Sequence, residues 1–106
     1  MEISKNDWAL FKTKLSYWQE NYIERLINEY IVLLSDNNKY PSERFHQLKM
    51  RIMKDGNNPG VGLRLTRSEM LNNLAMLIST GAITFDDLND FSDDLKQSVE
   101  KYLISL

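Results

Sequence analysis

The sequence predicts an all-α protein, a small helical bundle of four to five helices with one long N-terminal helix. Apolar residues recur at steps of three or four along most of the chain, which is the spacing of one face of an α-helix. No alternating strand pattern extends beyond residues 61–65. With 106 residues and a hydrophobic content of 42%, the chain is expected to fold as a single helical domain over residues 1–106.

The first predicted helix covers residues 7–35, a segment without Gly or Pro. Asp7 or Asn6 is the expected N-cap, because short polar side chains accept hydrogen bonds from the first helical turn. The apolar stripe of this helix consists of Trp8, Phe11, Leu15, Trp18, Tyr22, Leu26, Tyr30 and Leu33. The remaining helices are too short to cover so long a stripe, and we therefore expect part of this helix to expose apolar surface.

A second helix is predicted from Pro41 to about Lys54, with Gly56 as its left-handed C-terminal residue. Its apolar edge consists of Phe45, Leu48, Ile52 and Met53. Residues 55–65 hold three of the four glycines and one of the two prolines, so they are predicted to form a loop. This loop is either a flexible connection whose glycines permit positive φ or a contact element.

Capping residues predict where the later helices start. Thr66 and Glu69 form the S/T-x-x-E pattern of a capping box, and the helix that follows extends to Gly81. Thr84 is predicted to cap a short fourth helix and Ser92 a longer terminal one, because aspartates occupy the first turn after each.

Charge is divided along the chain, although the net charge is only -2. Residues 44–67 are rich in Lys and Arg, whereas residues 69–106 are rich in Asp and Glu. The basic segment could bind an anion such as a phosphate, or it could pair with the acidic C-terminal part. We favour partial self-neutralisation, because nucleic-acid-binding domains are usually basic overall and this chain has a pI near 5.3.

Several classes of site are excluded or disfavoured by the residues present. Cysteine is absent, which excludes disulfides, thiolate zinc sites and cysteine nucleophiles. The aspartates after residue 85 fail the spacing of a calcium loop, and they would be repelled by DNA phosphates if their helix were a recognition helix. His46 is the only histidine and has no catalytic or metal-binding motif around it. We expect a protein that is not an enzyme and that uses no cofactor and no metal.

The chain also lacks signals for export or membrane insertion. Its first residues have neither the basic nor the apolar region of a signal peptide, and no window approaches the ~20 apolar residues of a membrane span. A cytoplasmic location without membrane contact is expected.

The first functional hypothesis is a non-catalytic helical interaction or regulatory protein that self-associates, as a homodimer, through its long first helix. Tyr17 and Ile31 fall outside the main apolar stripe, and exposed apolar residues of this kind are typical of protein interfaces. The alternative hypothesis is nucleic-acid or anionic-ligand binding by the basic segment 44–67. Its candidate residues are Arg44, Arg51, Lys54, Arg64 and Arg67.

Overall fold

The computed structural model describes residues 2–106, and its regular structure over that range is entirely helical. Its four α-helices are α1 (Lys5–Leu34), α2 (Pro41–Asp55), α3 (Met70–Ser79) and α4 (Asp93–Ser105). Two short 3₁₀ helices, Arg67–Glu69 and Phe85–Leu88, precede α3 and α4. The all-α class and the long N-terminal helix are confirmed, and the α-helices number four because the predicted short helix after Thr84 is a 3₁₀ helix. Within the described range, every helix is too short or too polar to span a lipid bilayer.

The core lies between the N-terminal half of α1 and helices α3 and α4. Phe11, Leu15 and Trp18 are buried on one side of α1, because residues three or four apart share a helical face. The fully buried large side chains are Phe11, Met70, Leu74, Leu77, Leu88, Leu95 and Val99. Trp18 also contacts Phe91, with ring centroids 6.2 Å apart, which is within the range of favourable aromatic pairs. The predicted stripe of α1 therefore builds the core mainly in the first half of that helix.

The N-cap of α1 differs from the prediction. Ser4, rather than Asn6 or Asp7, caps the helix, because its hydroxyl accepts a hydrogen bond from the N–H of Asp7 at 3.1 Å. The carboxylate of Asp7 is buried and instead accepts hydrogen bonds from Ser92. Ser92 caps α4 as predicted, with its hydroxyl 3.2 Å from the N–H of Leu95.

The other predicted helix ends gave mixed outcomes. Thr84 caps the second 3₁₀ helix as predicted, in a reciprocal capping box with Asp87. Gly81 lies just after α3 and has a positive φ of 83°. The capping box predicted at Thr66 is wrong, because that side chain makes no capping hydrogen bond. The left-handed conformation predicted for Gly56 is also wrong, since its φ of -60° is that of an ordinary right-handed helix end.

Helices α1 and α2 form an antiparallel hairpin whose far part, residues 23–55, extends beyond the core and is called the hairpin arm below. The molecule measures 52 × 26 × 22 Å, with a radius of gyration of 16.5 Å, whereas a compact domain of about 100 residues has a radius of about 13 Å. Leu26 of α1 is buried in the arm, but α2 contributes no buried residue. The arm is therefore the part of the protein with the least core of its own.

Candidate protein interface on the hairpin arm

The side of α2 that faces α1 is charged. Arg44, Arg51 and Asp55 are seven and four positions apart, so they lie on one side of the helix. Arg44 Nη1 donates to the carbonyl oxygen of Leu34 at 2.6 Å. Arg51 pairs with Glu29 and with Asp55, each at an N–O distance of 3.4 Å. The contacts of Arg44 with Leu34 and of Arg51 with Glu29 join α2 to α1, whereas the Arg51–Asp55 pair lies within α2.

Tyr30 of α1 lies at the centre of these contacts. Its hydroxyl donates to Asp55 Oδ2 at 2.5 Å, and the Arg51 guanidinium lies 5.5 Å from the centroid of its ring. Burial, followed by the Asp55 carboxylate, raises the pKa of Tyr30 to about 12, because both disfavour the phenolate. The phenol therefore stays protonated and donates this bond at neutral pH.

The apolar side of α2 faces solvent as a consequence. Phe45 is 72% exposed and Met53 is 60% exposed. A shallow groove of about 320 Å³ on this side is lined by Phe45, Leu48, Lys49, Ile52 and Met53. The apolar stripe of a surface helix normally faces the core, so its outward orientation here indicates a surface that another molecule can cover.

Three residues of α1 extend this apolar surface. Ile27, Ile31 and Leu34 are all exposed, and their spacing of three and four residues places them on one side of α1. Around the axis of α1, this side is rotated by roughly 100° from the side that faces α2. Around the axis of α2, Phe45 and Ile52 are rotated by roughly 100° in the same sense from the side that faces α1. Because the helices run antiparallel, equal displacements bring both sets to the same side of the arm.

We define the apolar face of the arm by the residues that share this side. They are Ile27, Ile31 and Leu34 on α1, and Phe45, Leu48, Ile52 and Met53 on α2. The opposite side of the arm holds a different, mainly polar groove between the helices, lined by Glu29, Val32, Leu33, Lys39, Gln47 and Arg51. The two sides of the arm therefore differ in chemistry, and the apolar face holds seven apolar residues.

The two predicted contact residues of α1 are both exposed, Tyr17 at 68% and Ile31 at 56%. Ile31 belongs to the apolar face. Tyr17 precedes it by nearly four helical turns, so it lies on a similar side of α1 but about 21 Å away along the axis. The structure therefore does not bring these two side chains together, and Tyr17 lies outside the arm.

The five predicted cationic residues do not form one patch. Arg44 and Arg51 hold α2 on α1, and the Arg67 guanidinium donates to the carbonyl oxygen of Ile3. Lys54 and Arg64 are exposed, and their side chains have no hydrogen-bond or ion-pair partner among residues 2–106. Anion binding by these five residues stays a prediction, with three of them already engaged inside the molecule.

The predicted pairing of the basic segment 44–67 with the acidic C-terminal part is wrong. Asp90 pairs with Lys14 at 3.0 Å, and Asp93 pairs with Lys96 at 3.7 Å. None of the ion pairs among the described residues joins segment 44–67 to the acidic residues after 85. Asp90, Asp93 and Arg51 pair instead with partners outside the opposite cluster.

The glycine-rich loop is fixed against α1 and does not act as a flexible connection. Asn58 Nδ2 donates to the hydroxyl of Tyr22 at 3.0 Å, and Gln19 Nε2 donates to the carbonyl oxygen of Pro59 at 3.0 Å. Gly60 is buried, and a Cβ atom added there would lie 2.5 Å from the Tyr22 ring. Glycine is needed at this position for close packing rather than for a positive φ, which within the described range occurs only after α3.

Sequence reasoning identified the apolar edge of α2 but not its role as exposed surface. The pattern shows that Phe45 and Ile52 share a side roughly 100° from that of Arg44 and Arg51, yet it does not show which side meets α1. The available signal was Glu29, whose carboxylate on α1 can attract Arg51. That charge match favours docking of α2 through its polar side.

Within residues 2–106, no group of three or more His, Asp or Glu side chains is arranged to hold a metal ion. His46 is exposed on α2. Comparisons of the chain with models of protein families, with curated protein sequences and with solved structures found no match.

Proposed function

We propose that the protein is a non-catalytic helical interaction or regulatory module that self-associates through the apolar face of the hairpin arm. The observation that carries this proposal is the exposure of Ile31 and Phe45, at 56% and 72%, on sides of α1 and α2 that helical geometry places together. Soluble monomers rarely expose large contiguous apolar patches, and those that do commonly use them for binding.

The weak attachment of α2 supports the same proposal. This helix has no buried residue and is held on α1 by a few polar contacts, such as Arg51 with Glu29. Exposed ion pairs contribute only ~0–1 kcal/mol each, whereas apolar area removed from water contributes about 25 cal/mol per Å². A partner that covers Phe45 and Ile52 would thus stabilise α2 more than its contacts within the chain do.

A second copy of the chain is the partner that the charges around the face favour. On α1, Glu24 lies three residues before Ile27 on the same side of the helix, and on α2 Lys49 lines the groove. A two-fold arrangement that places α1 of one copy against α2 of the other puts this acid and that lysine in one interface, where opposite charges favour association. The two arms would then pack four helices together, as in a four-helix bundle.

The size of the face sets the expected strength of association. The 15 residues of α2 span about 22 Å, and two helices side by side are about 20 Å wide, so the face covers on the order of 450 Å². Standard interfaces bury about 800 Å² per partner. We therefore expect a dimer with a micromolar dissociation constant.

Light scattering coupled to gel filtration tests the proposal, with the wild-type chain expected at twice its mass of 12.5 kDa at concentrations above about 50 μM. Ile31→Asp is expected to give monomer, because it places a charge in the centre of the apolar face. Val32→Asp is the matched control, since Val32 is adjacent and 72% exposed but lines the opposite side of the arm.

The variants give distinct outcomes. Loss of the dimer in Ile31→Asp but not in Val32→Asp supports the apolar face, and Phe45→Asp on α2 should behave like Ile31→Asp. A wild-type chain that stays at 12.5 kDa up to millimolar concentration, or equal effects of both α1 variants, would overturn the proposal.

A further inference from the structure

A cleft at the other end of the molecule combines positive charge with an apolar floor. It has a volume of about 630 Å³ and is lined by residues from the N-terminal segment, the first 3₁₀ helix, α3 and α4. The apolar residues Ile3 and Leu71 are buried beneath it, and Tyr102 is half-exposed at its edge. None of its lining residues belongs to the hairpin arm, so the cleft is independent of the proposed dimer contact.

Among residues 2–106, the cleft is lined by two cationic side chains, Arg67 from the first 3₁₀ helix and Lys101 from α4. Donation to the carbonyl oxygen of Ile3 fixes the Arg67 guanidinium and leaves most of its five N–H donors for a ligand. The Lys101 ammonium has no hydrogen-bond or ion-pair partner within the described residues. The described residues that line the cleft include no Asp or Glu, so none of them neutralises these two positive charges.

Hydroxyl groups add hydrogen-bond donors to these charges. Ser68 and Tyr102 line the same cleft, and hydroxyls commonly accompany Arg and Lys where a protein binds a carboxylate or a phosphate. The chain as a whole does not attract anions, because its net charge is -2. Anion binding here would therefore depend on the local charges of the cleft. A pair of cations above an apolar floor favours a ligand that has both a negatively charged group and an apolar part.

We infer that this cleft binds a small organic anion, with its carboxylate or phosphate group between Arg67 and Lys101 and its apolar part against Ile3, Leu71 and Tyr102. This site shares only Arg67 with the basic segment predicted from the sequence, because its second cation, Lys101, comes from the acid-rich C-terminal part. Residues 67 and 101 are far apart in the sequence, so the sequence alone did not predict that they line one cleft.

The test is a titration of the ¹⁵N-labelled protein with benzoate, phenyl phosphate and the neutral analogue benzyl alcohol, followed by amide chemical shifts. Saturable shifts confined to residues 67–71 and 98–102 are expected for at least one of the two anions, with benzyl alcohol binding about tenfold more weakly because it lacks the charge. The anion that binds more tightly identifies the preferred head group.

Lys101→Gln is the deciding variant, because the Lys101 side chain is exposed and its replacement should leave the fold unchanged. It is expected to weaken binding of the preferred anion about tenfold, while the matched control Lys54→Gln in the arm leaves binding unchanged. Arg67→Gln should also weaken binding, but it removes a structural contact with Ile3 and is secondary. Absence of saturable shifts, equal binding of the neutral analogue, or equal effects of the two lysine variants would overturn the inference.

Discussion

The carboxylate of Asp7 accepts hydrogen bonds from both the backbone N–H and the hydroxyl of Ser92, at 3.1 and 2.6 Å. Ser92 is itself the N-cap of α4, so one buried acid on α1 orients the residue that starts the C-terminal helix. The two residues are 85 positions apart. This contact joins the ends of the chain across the core.

Replacing Asp7 with Ala should therefore lower the free energy of unfolding by about 1–3 kcal/mol, because the part-buried N–H and hydroxyl of Ser92 lose their acceptor. Urea denaturation followed by circular dichroism measures this change. Asp86→Ala is the control, since Asp86 is exposed, and its effect should stay within about 0.5 kcal/mol. Equal stability of the Asp7 and Asp86 variants would contradict the structural role of the Asp7 carboxylate.

The packing of the loop leads to a second prediction, which compares two glycines. In Gly60→Ala the new Cβ would lie 2.5 Å from Tyr22 Cδ2 and 2.8 Å from Ala82 Cβ, so the substitution should destabilise the fold by about 1–3 kcal/mol through overpacking. Gly62→Ala meets nothing within 4 Å and should be neutral or stabilising by up to ~1 kcal/mol. Thermal melting of the two variants is the measurement, and similar melting temperatures would show that the loop does not pack closely on α1.

Local signals in the sequence predicted the features that depend on neighbouring residues. The spacing of Phe11, Leu15 and Trp18 specifies a buried helical side whatever packs against it. Ser92 and Thr84 were recognised as caps because their partners lie three residues ahead. The all-α class follows from such short-range patterns.

Long-range features were missed for a physical reason. The role of Asp7 depends on a residue at the other end of the chain, and an acid near a helix start predicts capping of its own helix equally well. The orientation of α2 depends on Glu29 and Tyr30, which bind the polar side of that helix. An amphipathic pattern gives two sides but does not say which one meets the rest of the protein, so the apolar face of the arm could not be located from periodicity alone.

A third prediction concerns Tyr30 at alkaline pH. Its pKa is raised from 10.0 to about 12 in the folded protein, so the stabilisation linked to its phenol is fully present below about pH 10 and is lost as the pH rises through about 12. Absorbance of the phenolate during titration should show one of the five tyrosines ionising well after the others. Circular dichroism at each pH verifies that the helices persist.

Two variants assign that late ionisation. Tyr30→Phe should remove it, and Asp55→Asn should move it to lower pH, because the amide does not carry the negative charge that disfavours the phenolate. Burial remains in Asp55→Asn and should keep the pKa of Tyr30 above its ordinary value. Five tyrosines that ionise together in the wild-type protein would contradict the predicted environment of Tyr30.

The last prediction separates the structural role of the basic residues from anion binding. Replacing Arg44, Arg51 and Lys54 with Gln should loosen α2, since the first two hold it on α1. We expect amide hydrogen exchange in residues 41–55 to become about tenfold faster, because the lost contacts contribute ~0–1 kcal/mol each. Exchange in α3 and α4 should not change, and Lys54→Gln alone, which removes no internal contact, should behave like the wild-type protein.

The wild-type protein, the triple variant and Lys54→Gln also test whether the basic segment 44–67 binds nucleic acid. Phosphate binding weakens steeply with salt, and we expect no salt-dependent retention of the wild-type chain on heparin, because Arg44 and Arg51 are engaged inside the arm. Retention that is reduced in both the triple variant and Lys54→Gln, together with unchanged exchange in residues 41–55, would instead assign these side chains to an anionic partner. Faster exchange without any retention would establish that their role is to hold α2 with its apolar side outward.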